Sequence, residues 1–212
     1  MGLTFHYEFR LPPSYSSAEI DGVIRQLKDR AQRLRFQEVT TTYEGVVDFL
    51  PDDWRQFFNI CVDVNSHAIG EEERPYSVDA ITARGFLARP GKGTDAAAFG
   101  FMLRQFDDDG SREWLWRGFC KTQYASVYGE QHFLDCHLRL VDMMEYAMQC
   151  GIDVFVVDEG QYWETRDREV LLAELDKSNR LIAGLAGRLY DSPLSVEAVI
   201  FEHPDFEHLE GG

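Results

Sequence analysis

The densest group of chemically capable side chains is Asp158-Glu159-Gly160-Gln161-Tyr162-Trp163-Glu164-Thr165-Arg166-Asp167. Four carboxylates in ten residues repel one another unless they share a proton, an arginine or a metal. Two carboxylates in unlike environments can divide acid and base work, as hydrolases of glycosidic bonds do. On that reading Asp158 or Glu159 is the general base and Glu164 its partner of different pKa. Gly160 lets the backbone bend beside a ligand, and Tyr162 and Trp163 form an apolar wall. Arg166, Asp167 and His137 complete the ligand contacts. A divalent cation such as magnesium or calcium would suit Asp158, Glu159 and Glu164, because hard cations take oxygen ligands. The string also has a structural use. Asp167 can cap the helix that follows it, Arg166 or Arg168 can pair with Glu164, and Tyr162-Trp163 can pack on the core.

Other chemical patterns are thinner. His132 and Cys136 stand four apart on one helix face, the right spacing for two zinc ligands, with His137 and Cys120 as companions. Neither HExxH nor CxxC accompanies them. His137 follows Phe133 by four residues and falls on the inward face, where a hydrogen-bonded core histidine is the commoner outcome. Gly91-Lys92-Gly93-Thr94 lacks the spacing of a phosphate loop. Asp107-Asp108-Asp109-Gly110 lacks the glutamate a calcium loop needs, since Trp116 stands in its place. Ser14, Ser16 and Ser17 have no nucleophile-elbow context. Arg25, Lys28, Arg30, Arg33 and Arg35 form the one cationic stripe.

Charge bounds the partners. The 212 residues include 21 basic and 37 acidic ones, a formal net charge of −16. Residues 107–212 carry 22 of the acids against 9 bases, so the excess sits in the second half. Such a surface repels phosphate backbones and anionic membranes and favours a basic protein partner or a cationic ligand. With 44% apolar and 13% aromatic residues, the chain reads as globular rather than disordered. No apolar run reaches membrane-spanning length, and Met1–Arg10 lacks the pattern of a secretory signal. The four cysteines, Cys61, Cys120, Cys136 and Cys150, are unpaired in spacing, which suits reduced thiols and a cytoplasmic location.

The elements that must position these groups are mostly readable. Leu3–Leu11 alternates as a strand with one buried face. Ser16-Ser17-Ala18-Glu19 is a capping box, followed by Ile20, Val23, Ile24, Leu27, Ala31 and Leu34 at helical spacing. A second strand is expected over Gln37–Asp48. Phe49–Val78 is the least legible stretch, with a short helix expected after Pro51 and a strand over Ile60–Val64. Ala80–Arg89, Phe99–Phe106 and Glu113–Lys121 read as strands, the last two joined as a hairpin through Asp107–Ser111. Each carries a Gly-Phe pair. Gln131–Cys150 is a helix closed by Gly151. The apolar run Ile152–Val157 predicts a central strand covered on both faces. Asp167–Leu189 is the longest helix, with Gly184 and Gly187 expected where another backbone comes close. Ser195–Phe201 is a last strand, parallel to 152–157 across a crossover. The fold class is therefore α+β, one domain over 1–202 with a mixed sheet, about three main helices and strand–helix–strand units. Residues 203–212 form an acidic tail.

Two functions follow. The charge imbalance suggests an interaction protein whose acidic half engages a basic partner, as an inhibitor or neutralising subunit does. The 158–167 loop suggests instead an acid–base or metal-assisted hydrolase, or a small-molecule binding protein.

Overall fold

The computed structural model describes residues 3–46, 76–77, 82–106, 109–190 and 203–204. The strands expected over 60–64 and 195–201, the helix after Pro51 and most of the tail lie outside them.

The fold is α+β. Its strands are β1 (Thr4–Leu11), β2 (Glu38–Val39), β3 (Tyr43–Val46), β4 (Tyr76–Ser77), β5 (Thr82–Arg89), β6 (Ala97–Phe106), β7 (Arg112–Lys121) and β8 (Asp153–Asp158). Its helices are α1 (Ser17–Arg33), α2 (Glu130–Gln149), the single turn α3 (Tyr162–Thr165) and α4 (Arg168–Tyr190), with a 3-10 segment at Gln123–Tyr128. The strands form one sheet in the order β2-β5-β6-β7-β1-β8, with β3 also beside β5 and β4 beside β6. Every neighbouring pair is antiparallel. The two long crossovers, β1–α1–β2 and β7–α2–β8, join strands that run the same way without being neighbours. No helix of the described residues is long and apolar enough to cross a membrane.

Alternation explains β1. Phe5, Tyr7, Phe9 and Leu11 are buried on the face covered by α1 and α2, while His6, Glu8 and Arg10 point to the other. The capping box forms as its residues require. Ser16 Oγ accepts the Glu19 amide at 3.4 Å, and the Glu19 carboxylate accepts the Ser16 amide at 2.7 Å. Ile20, Val23, Ile24, Leu27 and Ala31 then bury one stripe of α1 against the sheet. Between the layers lie Phe9, Phe86 and Phe99, with the last two ring centroids 5.3 Å apart. Each such ring contributes roughly 1.5–3 kcal/mol by leaving water.

The Gly-Phe pairs have distinct spatial reasons. Gly85 and Gly100 face each other across β5 and β6, where a Cβ would enter the neighbouring backbone. Gly118 lies beneath the Tyr7 ring, and a Cβ there would stand 2.5 Å from it. The β6–β7 register runs from Gln105↔Arg112 to Met102↔Leu115. Past it, the Tyr7 hydroxyl and the Trp116 indole both donate to the Ala98 carbonyl, at 2.6 and 2.7 Å. Side chains there satisfy an oxygen that burial would otherwise leave costly. On the opposite face Glu8, also buried, takes Arg10 on one oxygen and Arg117 on the other.

Four expectations change. The sheet is antiparallel throughout the described residues rather than mixed, because each crossover returns its strand to a place that is not beside the strand it left. The strand after Gly151 is not central: among the described residues β8 pairs only with β1, and Phe155 and Val157 are 47% and 42% exposed. Its apolar run hid an alternation, because Val154 and Val156 turn to the helices while Phe155 and Val157 face out. The second strand is interrupted: Thr40-Thr41-Thr42 separates β2 from β3, and the Thr40 hydroxyl bonds the Leu87 amide at 3.0 Å in place of a ladder partner. At Gly184 a Cβ would meet nothing within 4 Å, so no backbone of the described residues crowds it.

Candidate functional site

The end of β7, the inner face of α2 and the end of β8 meet at one point. Thr122 Oγ1 lies 3.1 Å from His137 Nδ1, and His137 Nε2 lies 3.1 Å from Asp158 Oδ2. Asp158 also accepts the Gly160 amide at 2.8 Å on Oδ1 and the Trp163 amide at 3.0 Å on Oδ2. Nε2–H donates to the carboxylate, and Nδ1 faces the Thr122 hydroxyl, which can donate to it or accept from it. Phe5 and Phe133 enclose the ring, at centroid distances of 5.5 and 5.8 Å. The side chains of His137 and Asp158 are 0% exposed, and Thr122 is buried with them. Burial pushes the Asp158 pKa up, but the hydrogen bond and charge of His137, with the two amides, outweigh it and hold the carboxyl below its usual range.

A second polar chain continues behind it. Gln123 accepts the Leu3 amide at 2.9 Å and donates to Asn179 of α4 at 2.8 Å, and Asn179 reaches Ser126 at 3.4 Å. Leu3, Phe133, Leu134, Leu171 and Leu175 surround these groups as a small second core. Polar chains of this kind hold elements in one register, since each group left unpaired would cost about 1–3 kcal/mol.

The 158–167 segment is a tied connector. Gln161 and Arg166 take left-handed backbone angles (φ 57° and 56°), which pinch α3 into one turn. Gly160 is buried with no space for a side chain: a Cβ would lie 2.5 Å from Leu171 Cδ1. Glu159 accepts the Thr4 amide at 2.7 Å and stands 3.9 Å from His6. Burial lowers the His6 pKa, against the pull of Glu159. Asp167 caps α4 through the Glu169 amide at 2.9 Å. Arg166 pairs with Glu145 of α2 at 2.8 Å, not with Glu164, and lies 4.5 Å over the Trp163 ring. Tyr162 and Trp163 pack on the core from its edge, and Glu164 is exposed. Of the expected site residues, the fold therefore brings Asp158 and His137 together, ties Glu159 and Asp167 to separate backbone amides and leaves Glu164 exposed.

Chemically, a hydroxyl, an imidazole and a carboxylate in sequence can relay a proton, and both contacts are within general-base reach. Thr122, Gln123 and Asn179 went unread because nothing local marks them; their partners lie 15 to 120 residues away. His132 and Cys136 do meet, at 3.6 Å, but His132 Nε2 also contacts the Lys92 carbonyl at 2.9 Å. Burial raises the Cys136 thiol to about 11 and Cys120 well above the ordinary thiol range. Among the described residues, no three His, Cys, Asp or Glu side chains converge as a metal would require. An open cleft of about 340 Å³ lies at the other end of β8, between Arg10, Pro12, Pro13, Arg112, Glu113 and Asp153.

The outer surface is acidic. Over residues 130–184, nine carboxylate side chains are exposed against three cationic ones, Arg166, Arg168 and Lys177. No protein-family model, no curated protein and no solved structure matches this chain.

Proposed function

We propose that the protein is an acidic interaction protein whose α2–β8–α4 surface engages a basic protein partner. The observation that carries this reading is the nine-to-three excess of exposed carboxylates over cations on that surface. Of the carboxylates there, Asp158 is the one drawn into the interior. Glu130, Glu164 and Glu169 are exposed to a partner there, and they act through long-range steering as well as contact.

A Lys/Arg-rich labelled peptide tests it by fluorescence anisotropy against the full chain. Binding should weaken as salt rises and should fall further when Glu130, Glu164 and Glu169 are changed together to glutamine. Absence of binding at low salt, or binding indifferent to those changes, would remove the reading.

A hydrolytic function at the carboxylate loop has one observation in its favour, the Thr122–His137–Asp158 relay. Burial of all three members argues against it, since a substrate needs a route to the hydroxyl.

A further inference from the structure

We infer that the outer face of α1 is a docking surface for an acidic protein segment. This chain has far more acids than bases, and most cations described outside α1 have found one. Arg10 and Arg117 hold Glu8, Arg84 holds Asp21 and Glu44, Arg89 holds Glu38, and Arg166 holds Glu145. Lys177 and Arg180 pair along α4. Between Arg25 and Arg35 the pattern reverses. Arg25, Lys28, Arg33 and Arg35 make no ion pair or side-chain hydrogen bond with any described residue, and Asp29 is the one acid among them.

Arg30 adds a second observation. Its guanidinium lies 5.4 Å over the Tyr146 ring of α2, and its Nε is buried without an acceptor. A buried donor in that state costs stability unless something supplies an oxygen. Arg33 stands close enough to act on the same phenol, whose pKa burial raises and both arginines lower. The cationic face thus runs along α1 and over its seam with α2.

Helix electrostatics explains only part of this. Arg30 and Arg33 lie in the last turn of α1 and offset its negative end. Arg25 and Lys28 are too far from that end to serve it. Arg25 and Arg33 are eight residues apart, about 12 Å along the axis, the span of roughly two turns of a facing helix. Carboxylates four residues apart on such a helix would meet them. A nucleic acid fits less well: duplex DNA carries a charge every 1.7 Å or so, and a chain of net charge −16 repels it outside the narrow stripe. A short acidic segment confines its charge to the stripe, within roughly one Debye length of 8 Å.

The test uses the full chain and a labelled helical peptide with glutamates at i and i+4, followed by anisotropy at low and at physiological salt. Binding should be salt-sensitive, and Arg25→Glu, Lys28→Glu and Arg33→Glu together should weaken it by roughly tenfold or more. Arg168→Glu, on the acidic surface, should leave it unchanged, and circular dichroism checks that every variant is folded. The glutamine variants of Glu164 and Glu169 separate this surface from the acidic one, because they should not reduce peptide binding. No binding by the parent at low salt overturns the proposal, as does equal loss in Arg168→Glu. Tighter binding of a labelled DNA duplex, lost in the same α1 variants, overturns it too.

Discussion

Replacing Asp158 by asparagine isolates what the buried relay does for the fold. The carboxylate takes three donors: His137 Nε2, the Gly160 amide and the Trp163 amide. Asparagine keeps one oxygen, which can serve two of them, and sets an NH2 group against the third. One donor is orphaned, the new NH2 has no acceptor, and each costs about 1–3 kcal/mol when buried. The charge-assisted character of the remaining bonds is lost as well. Together these predict destabilisation of about 3–5 kcal/mol, in the range for breaking a buried charged pair. In urea that is a fall in midpoint of roughly 1–2 M. Glu164→Gln, at an exposed position, should stay within about 0.5 kcal/mol of the parent. The pH dependence gives an independent reading. Because folding depresses the Asp158 pKa, its contribution is complete above the unfolded value near pH 4 and is lost as pH falls toward the folded one. The gap between parent and Asp158→Asn should therefore narrow below about pH 4 and be flat above pH 5. A variant as stable as the parent, or more stable, would refute this account. It would mean the carboxylate is held under strain, as at a functional site.

Three further outcomes are expected. Gly118→Ala should cost about 1–3 kcal/mol in thermal unfolding by overpacking against the Tyr7 ring, and a neutral result would show the ring free to move. Ser16→Ala should cost about 1 kcal/mol by removing the α1 cap, while Ser14→Ala should cost nothing measurable. At pH 7, alkylation followed by peptide mapping should find Cys120 and Cys136 slow to react and the half-buried Cys150 faster, because burial raises all three thiols but only Cys150 is open to the reagent. Rapid modification of Cys136 would show that its burial is transient.

Legibility in the sequence followed the range of the forces involved. The α1 cap and stripe, the alternation of β1 and the closure of α2 at Gly151 depend on residues within a turn or two, and each is present as its pattern required. The position of β8 was not legible, since Ile152–Val157 reads alike whether one or both faces are covered. Only the pairing with β1 shows Phe155 and Val157 turned outward. The candidate site divides the same way. Asp158, His137 and the Asp167 cap could be named from local pattern, but the meeting of Asp158 with His137 depends on the β7–α2–β8 crossover. Thr122 has no neighbour in sequence that marks it. The crowding of carboxylates over 158–167 suggested mutual repulsion. Folding relieves it by giving Asp158, Glu159 and Asp167 backbone amides of their own.

The place of β1 in the sheet has a consequence for biosynthesis. It is made before every strand it pairs with, yet it lies between β7 and β8, with Thr4 opposite Lys121 and Phe5 opposite Asp158. A nascent chain therefore carries one edge of β1 unpaired until translation has passed residue 158 and the exit tunnel has released it. At about 5–20 residues per second that delay is on the order of ten seconds, long compared with hydrophobic collapse. During it, that edge is open to pairing with other nascent chains. Contacts this distant in sequence also place the folding rate at the slow end for a domain of this size. A holdase that shields β1 should raise the soluble yield, and slowing translation ahead of residue 158 should lower it.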